Sequence, residues 1–297
     1  DDVVIDTNVT LDSDVTVKGI AINSGAVFNN GSKTLTATAG YLTNNGTYNG
    51  NTGVYSFTAG GGVFGSSTTT FNNVAISGGV DFKHGTNPTA AVNGTLTINS
   101  GGYVANDAPV YGSSSTLKYN SGGTYTASQE WYPNTISGAG VPHHVEIGNG
   151  TILSFGSSST ARTAKGNVQI DGALQLSSTS GGDLKVGGDW SSNGTFNHNS
   201  REVEFNGSGA QTINSATTWD YLAINNSGSG VTLAANQTVD TRLRFDNGLL
   251  KLGNYDLTLG PLAQAVAGSL DANKMVVTDG SGALCKRFGT ISSYTYP

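Results

Sequence analysis

His143, His144 and Glu146 come closest to a metal-binding group in this chain. With Val145 and Ile147 pointing inward, His144 and Glu146 share the outward face of a strand. Two side chains fall short of the four ligands of a closed zinc site, so the cluster reads as a polar surface after the bend at Pro142. Asp12 and Asp14 flank Ser13 as in a calcium loop, but EF-hand spacing and its bidentate Glu are missing. Asp240, Arg242, Arg244 and Asp246 alternate with Val239, Leu243 and Phe245, and so define an outward charged strip. Glycoside hydrolysis needs two carboxylates roughly 5–9.5 Å apart. The 20 acidic residues are scattered and no pair stands out, so the strip reads as solvated ion pairs. No Ser-His-Asp phrase, P-loop or dinucleotide fingerprint occurs, and GGVFGSS at 61–67 has no Lys or helix after it. The expectation is a chain with no catalytic residue, no metal and no cofactor.

The aromatic residues offer a binding chemistry instead. Trp219 and Tyr221 alternate opposite Leu222 and Ile224, which predicts that they face outward. Phe71 holds the place matching Trp219, and Trp131 and Tyr132 sit in an inserted segment. Exposed rings can stack on sugars, and the same residues could instead cover a corner of the fold. Phe71, Trp131, Tyr132, Trp219 and Tyr221 are therefore the candidate contacts for a glycan or a protein partner. Cys285, the single cysteine, cannot form an internal disulfide and reads as a small buried apolar residue.

What positions these residues must be built with few charges. The 297 residues include 43 Gly, and only 11% are charged against roughly 25% in ordinary globular proteins. The net charge of −6, with no basic cluster longer than Lys286-Arg287, argues against nucleic acid as a partner. No apolar run reaches the ~18 residues of a membrane-spanning helix. The opening DDVVIDTNVT does not read as a signal peptide, so the chain is expected to be mature or an excerpt.

The chain also repeats itself. GIAINSGAVF, GTLTINSGGYV, GNVQIDGALQL and RLRFDNGLLKL are copies of one phrase, and they place Ile22, Ile98, Ile170 and Phe245 at nearly equal intervals along the chain. Residues 40–76 also match 188–224 without a gap at an offset of 148, with Phe57 on Phe205, Phe71 on Trp219 and Ile76 on Ile224. Short runs alternate apolar with polar and then break at Gly, Asn or Ser, which is the texture of short strands. LAQAVAGSLDAN at 262–273 is the one helical contender.

Eight Asn-Gly pairs would suit the hairpins of tandem β-sandwiches. Short strands, and copies that differ by whole segments, favour a stack whose units touch only their neighbours. The predicted fold is all-β, a right-handed parallel β-helix (β-solenoid) with about three coils to each long repeat. It is expected as a single domain over 1–297, with super-repeats near 1–75, 76–148, 149–224 and 225–297, cut from a longer protein.

NGTF, VEFNGSGAQTI, DYLAINNSG, VTLAANQTV and LKLGNYDLTL together resemble the repetitive β-solenoid regions of large secreted and cell-surface proteins of the Bacteroidota. More broadly they are similar to filamentous-haemagglutinin-type and autotransporter adhesin stalks. The resemblance implies export to the bacterial surface and a non-enzymatic role as spacer or adhesin, with a glycan or matrix ligand. Uncapped solenoid ends add an expectation of end-to-end association into filaments. Two alternatives come from other classes. One is a β-helix polysaccharide lyase or hydrolase. The other is an ice-binding protein, suggested by TLT at 34–36, TTT at 68–70 and TLT at 95–97.

Overall fold

In the computed structural model, which describes residues 1–265 and 270–289, the chain forms two compact units, one ending at Thr151 and one beginning at Ile152. Each is a parallel β-solenoid. Within each unit the ladders are parallel, and among the described residues two isolated bridges are antiparallel, Val110 with Ala139 and Asp271 with Lys274. The hairpins that tandem sandwiches require do not form.

In the first unit each turn of chain lays down three short strands. One ladder stacks Val15–Val17, then segments at 34–37, 54–57, 73–76, 95–99, 116–120 and 144–147. A second begins at Val3–Ile5 and passes through Ile20–Ile22 to Leu42 and Val63. A third runs from Val9–Thr10 through Val27–Asn29 and Thr47–Asn49 to Thr70, and on through Ala91–Val92 to Val110–Tyr111. The second unit repeats the scheme. One ladder there runs 168–170, 190–192, 211–213, 231–233, 250–251 and 276–277. Another runs Arg162–Ala164, Leu184–Val186, Glu202–Phe205, 221–224 and 242–245.

Alternation decides what each turn feeds to the interior. Leu35, Tyr55, Val74, Leu96, Leu117 and Val145 form one inward column; Val186, Phe205, Ile224 and Phe245 form another, all 0–1% exposed. Each such burial contributes roughly 1.5–3 kcal/mol, and no disulfide is needed. The stacking repeat is the single turn, the step that carries Leu35 to Tyr55, Tyr55 to Val74 and Val74 to Leu96. The first long interval between the repeated phrases, from Ile22 to Ile98, is not a whole number of turns, so it changes face. Ile22 accordingly pairs with Ile5 and Asn44, whereas Ile98 pairs with Ile76 and Tyr119. The offset of 148 does preserve position. Val54 to Phe57 pair with Asn73 to Ile76 in the same register as Glu202 to Phe205 pair with Tyr221 to Ile224.

Corners, where the backbone ladder breaks, are carried by Asn and Asp side chains. Asp14 accepts the amide of Thr34 (2.8 Å), Asn73 that of Thr95 (3.0 Å), Asn167 that of Asp189 (2.9 Å) and Asp189 that of Thr212 (2.7 Å). Each reaches one turn onward and satisfies a donor that would otherwise lack a partner. Asp14 is thus a corner residue of this kind, with Ser13 donating to Asp12 beside it. This is why a chain so poor in charge is so rich in Asn. Glycine serves where backbones nearly touch at a corner: Gly40 takes φ +74°, and a Cβ on Gly61 would stand 1.4 Å from the Gly40 oxygen.

The helical contender does not form as such: Leu262 lies in a turn and Gln264–Ala265 is a strand, while 266–269 lie outside the described residues. The threonine phrases do not build an array. Thr36 adjoins Thr16 but then Ser56, Thr97 lies between Ala75 and Lys118, and Thr69 is buried.

Candidate functional site

The outward side of the Glu202–Phe205 ladder holds the densest grouping of charge in the second unit. Because Val203, Leu222 and Leu243 point inward, Glu202, Tyr221 and Arg242 stack outward in register on three successive strands. Two residues along, Lys185, Glu204, Ala223 and Arg244 form a parallel outward column. Neighbouring rungs lie about 4.8 Å apart, so opposite charges one or two turns apart are within reach.

The reach is used fully. Glu202 takes Arg244 on one oxygen (2.6 Å) and Arg242 on the other (3.1 Å). Glu204 takes Lys185 (3.2 Å) and Arg244 (3.7 Å), and its other oxygen accepts Asn225 (2.8 Å). Arg244 also pairs with Asp246. Burial works to lower the proton affinity of Arg244, but its bonds to Glu202 and the nearby Asp246 and Glu204 outweigh this and raise it. The Glu202 and Glu204 side chains are only 14% and 10% exposed, so these pairs are better shielded than ordinary surface ones. Replacing Glu202→Gln should therefore cost about 1 kcal/mol and lower Tm by about 2 °C. In about 1 M salt most of the gap between variant and parent should persist, because pairs this shielded are screened little, which paired melts would show.

Beside the strip lies a cleft of about 280 Å³, lined by Ser180, Asp183, Ser200, Arg201, Tyr221 and Arg242 together with Glu202 and Gly181. The Arg242 guanidinium lies over the Tyr221 ring at 5.1 Å. Asp183 accepts the amide of Glu202 (2.9 Å) and so ties the cleft floor to the ladder.

The sequence-predicted contacts divide. Tyr221 is half-exposed in this cleft, and Tyr132 is 46% exposed on the first unit's inserted segment. Trp219, Phe71 and Trp131 are not surface residues at all; each is 0% exposed. Trp219 packs its ring on Trp190 (5.0 Å), and Phe71 meets Tyr48 (5.3 Å) and Tyr55 (5.5 Å). The reason is the corner itself: Trp219 and Leu222, three residues apart, are both buried, as are Phe71 and Val74, and the register slips there, Trp219 to Tyr221 facing Val239 to Arg242. Inward–outward phase resets there, so alternation counted back from Leu222 gives the wrong face for Trp219.

Other expectations fare variously. The strip of Arg242, Arg244 and Asp246 does face outward, and Glu146 is held by Lys118 at 2.5 Å. Among the described residues no three His, Cys, Asp or Glu side chains gather where a metal ion could be held. Cys285 is exposed, not buried, because it pairs outward opposite Thr258 between Leu284 and Lys286. Sequence reading missed Glu202, Arg201 and Asp183. Charges of alternating sign spaced by one turn, as in Lys185 and Glu204, were the available signal.

Comparison with known proteins gives no match: no family model, no curated protein and no solved structure aligns with the chain. Among the described residues no helix is long and apolar enough to cross a membrane.

Proposed function

We propose that this chain is a non-enzymatic structural and adhesive element of a secreted or cell-surface bacterial protein, of the kind its repeats resemble in the Bacteroidota. One observation carries the reading: the two glutamates at the centre of the outward strip are consumed in holding turns together. Both oxygens of Glu202 and both of Glu204 are engaged by cations or an amide. A glycosidase needs one carboxyl kept protonated and a second free to attack or to activate water. Carboxylates saturated by arginine and lysine suit neither task. What the surface offers is a polar cleft beside Tyr221, suited to surface glycan or matrix ligands. End-to-end association into filaments belongs to the same reading, since terminal turns of a solenoid offer strand edges for pairing.

The purified chain applied to arrays of glycans and matrix proteins should bind at least one class and release no new reducing ends or unsaturated sugars. Sedimentation should show species growing with concentration. Product release would overturn the non-enzymatic reading, absence of binding the adhesive one, and a strict monomer at all concentrations the filament.

A further inference from the structure

We infer that the cleft between Arg201 and Arg242 is a binding site for a sugar bearing an anionic group, a carboxylate or a sulfate. This rests on the adhesive reading and names the ligand class that the second unit would hold.

The donors and acceptors lining the cleft are unequal. Arg201 uses its Nε to donate to the Asn199 oxygen (3.2 Å), and its two terminal nitrogens have no partner among the described residues. Arg242 gives one terminal nitrogen to Glu202 (3.1 Å) and keeps the other. Ser180 and Ser200 add hydroxyls that bond to no other described side chain. On the acceptor side Glu202 is saturated by Arg242 and Arg244, and one oxygen of Asp183 is taken by the Glu202 amide. Unused donors therefore exceed unused acceptors, so the complementary ligand brings several acceptor oxygens close together. A guanidinium matches a carboxylate or sulfate in a bidentate fork.

The site is also held in advance. Asn199 and Ser200 take left-handed backbone, φ 46° and 55°, a conformation unusual for residues other than glycine. The turn is fixed by Arg201 N to His198 O (2.8 Å) and by the Asn199 amide to the Leu176 oxygen (2.7 Å). Arg242 is anchored on the Tyr221 ring; its Nε is buried and has no hydrogen bond, so the ring face supplies what attraction it has. Tyr221 thus serves the cleft through Arg242, whose guanidinium its ring holds in place. Glu202, Tyr221 and Arg242 span two rung steps, about 10 Å, which suits an oligosaccharide laid along the stack.

The test is calorimetric titration with three oligosaccharides of equal length, one uronate, one sulfated and one neutral, against parent chain, Arg201→Gln, and the distant control Lys251→Gln. Circular dichroism reports that each variant is folded. The expected result is binding of the uronate or the sulfated oligomer, at least tenfold tighter than the neutral one, weakened at least tenfold by Arg201→Gln and unchanged by Lys251→Gln. The stronger of the two anionic arms identifies the group. Anionic binding that survives Arg201→Gln would overturn the site, and a preference for the neutral oligomer would overturn the ligand class. Either leaves adhesion standing. No binding to any of the three, with the arrays also blank, would overturn both.

Discussion

Trp219→Ala should lower the unfolding free energy by about 3–5 kcal/mol, whereas Tyr221→Ala, two residues away on the same strand, should cost under about 1 kcal/mol. The indole fills the centre of an aromatic cluster with Trp190 at 5.0 Å, Phe196 at 5.6 Å and Phe205 at 5.9 Å. Those rings belong to three different strands, so they close the gap only by moving backbone that is itself in ladders. The vacated volume remains a cavity. A polar loss adds to the apolar one. The indole Nε1 donates to the Gln237 side-chain oxygen (3.0 Å), while the Gln237 amide is spent on the Ser215 and Ala235 oxygens. Truncation leaves that oxygen buried and unpaired. Denaturant unfolding of both variants checks this, with oligosaccharide titration alongside. The expected pattern is crossed: Trp219→Ala loses stability and keeps ligand affinity in the folded fraction, while Tyr221→Ala keeps stability and loses affinity. A stable Trp219→Ala variant that no longer bound sugar would restore the outward-facing reading of that residue.

That crossed pattern marks where the fold was legible in the residues and where it was not. Alternation and turn signals suffice for parallel stacking, since Leu96 and Ile98 or Val203 and Phe205 can serve only one interior. The gapless match of 40–76 to 188–224 goes further and carries the pairing register itself. Alternation runs out at corners. A corner such as that between Trp219 and Leu222, or Phe71 and Val74, leaves no mark in residue type and inverts the face expected of everything before it. The cleft was hidden for a related reason. Arg201 and Arg242 meet only if the stacking repeat is known to be the single turn, the step from Glu202 to Tyr221 and from Tyr221 to Arg242. The conspicuous long-period phrases pointed elsewhere. Left-handed backbone accounts for few of the asparagines: among the described ones only Asn51, Asn134 and Asn199 have positive φ. Most act through the side chain, as bridges between turns.

Asn226→Asp should therefore be among the most damaging single-atom changes, costing about 3–5 kcal/mol at neutral pH. Asn226 is 0% exposed and its amide is fully committed. The nitrogen donates to the Gly209 oxygen (2.7 Å) and the Gln211 side-chain oxygen (2.9 Å), and the oxygen accepts the amides of Gly228 and Gly230, both at 2.9 Å. Gln211 is equally saturated, donating to the oxygens of Val186 and Gly188 and accepting from Gly207. Aspartate keeps the shape but sets an oxygen against two oxygens at a position closed to solvent. Its protonated form restores one donor, so folding raises the carboxyl pKa above its unfolded value of about 3.9. A raised folded pKa means the variant is most stable below the unfolded value and loses stability as pH rises toward and through the folded one. The difference in Tm between Asn226→Asp and the parent should thus narrow on acidification. Asn226→Ala, which abandons the same partners without a charge, should show a gap that does not track pH. Parallel gaps for the two variants across the acid range would mean that the amide faces water, and that the corners are not held by side chains spanning the turns.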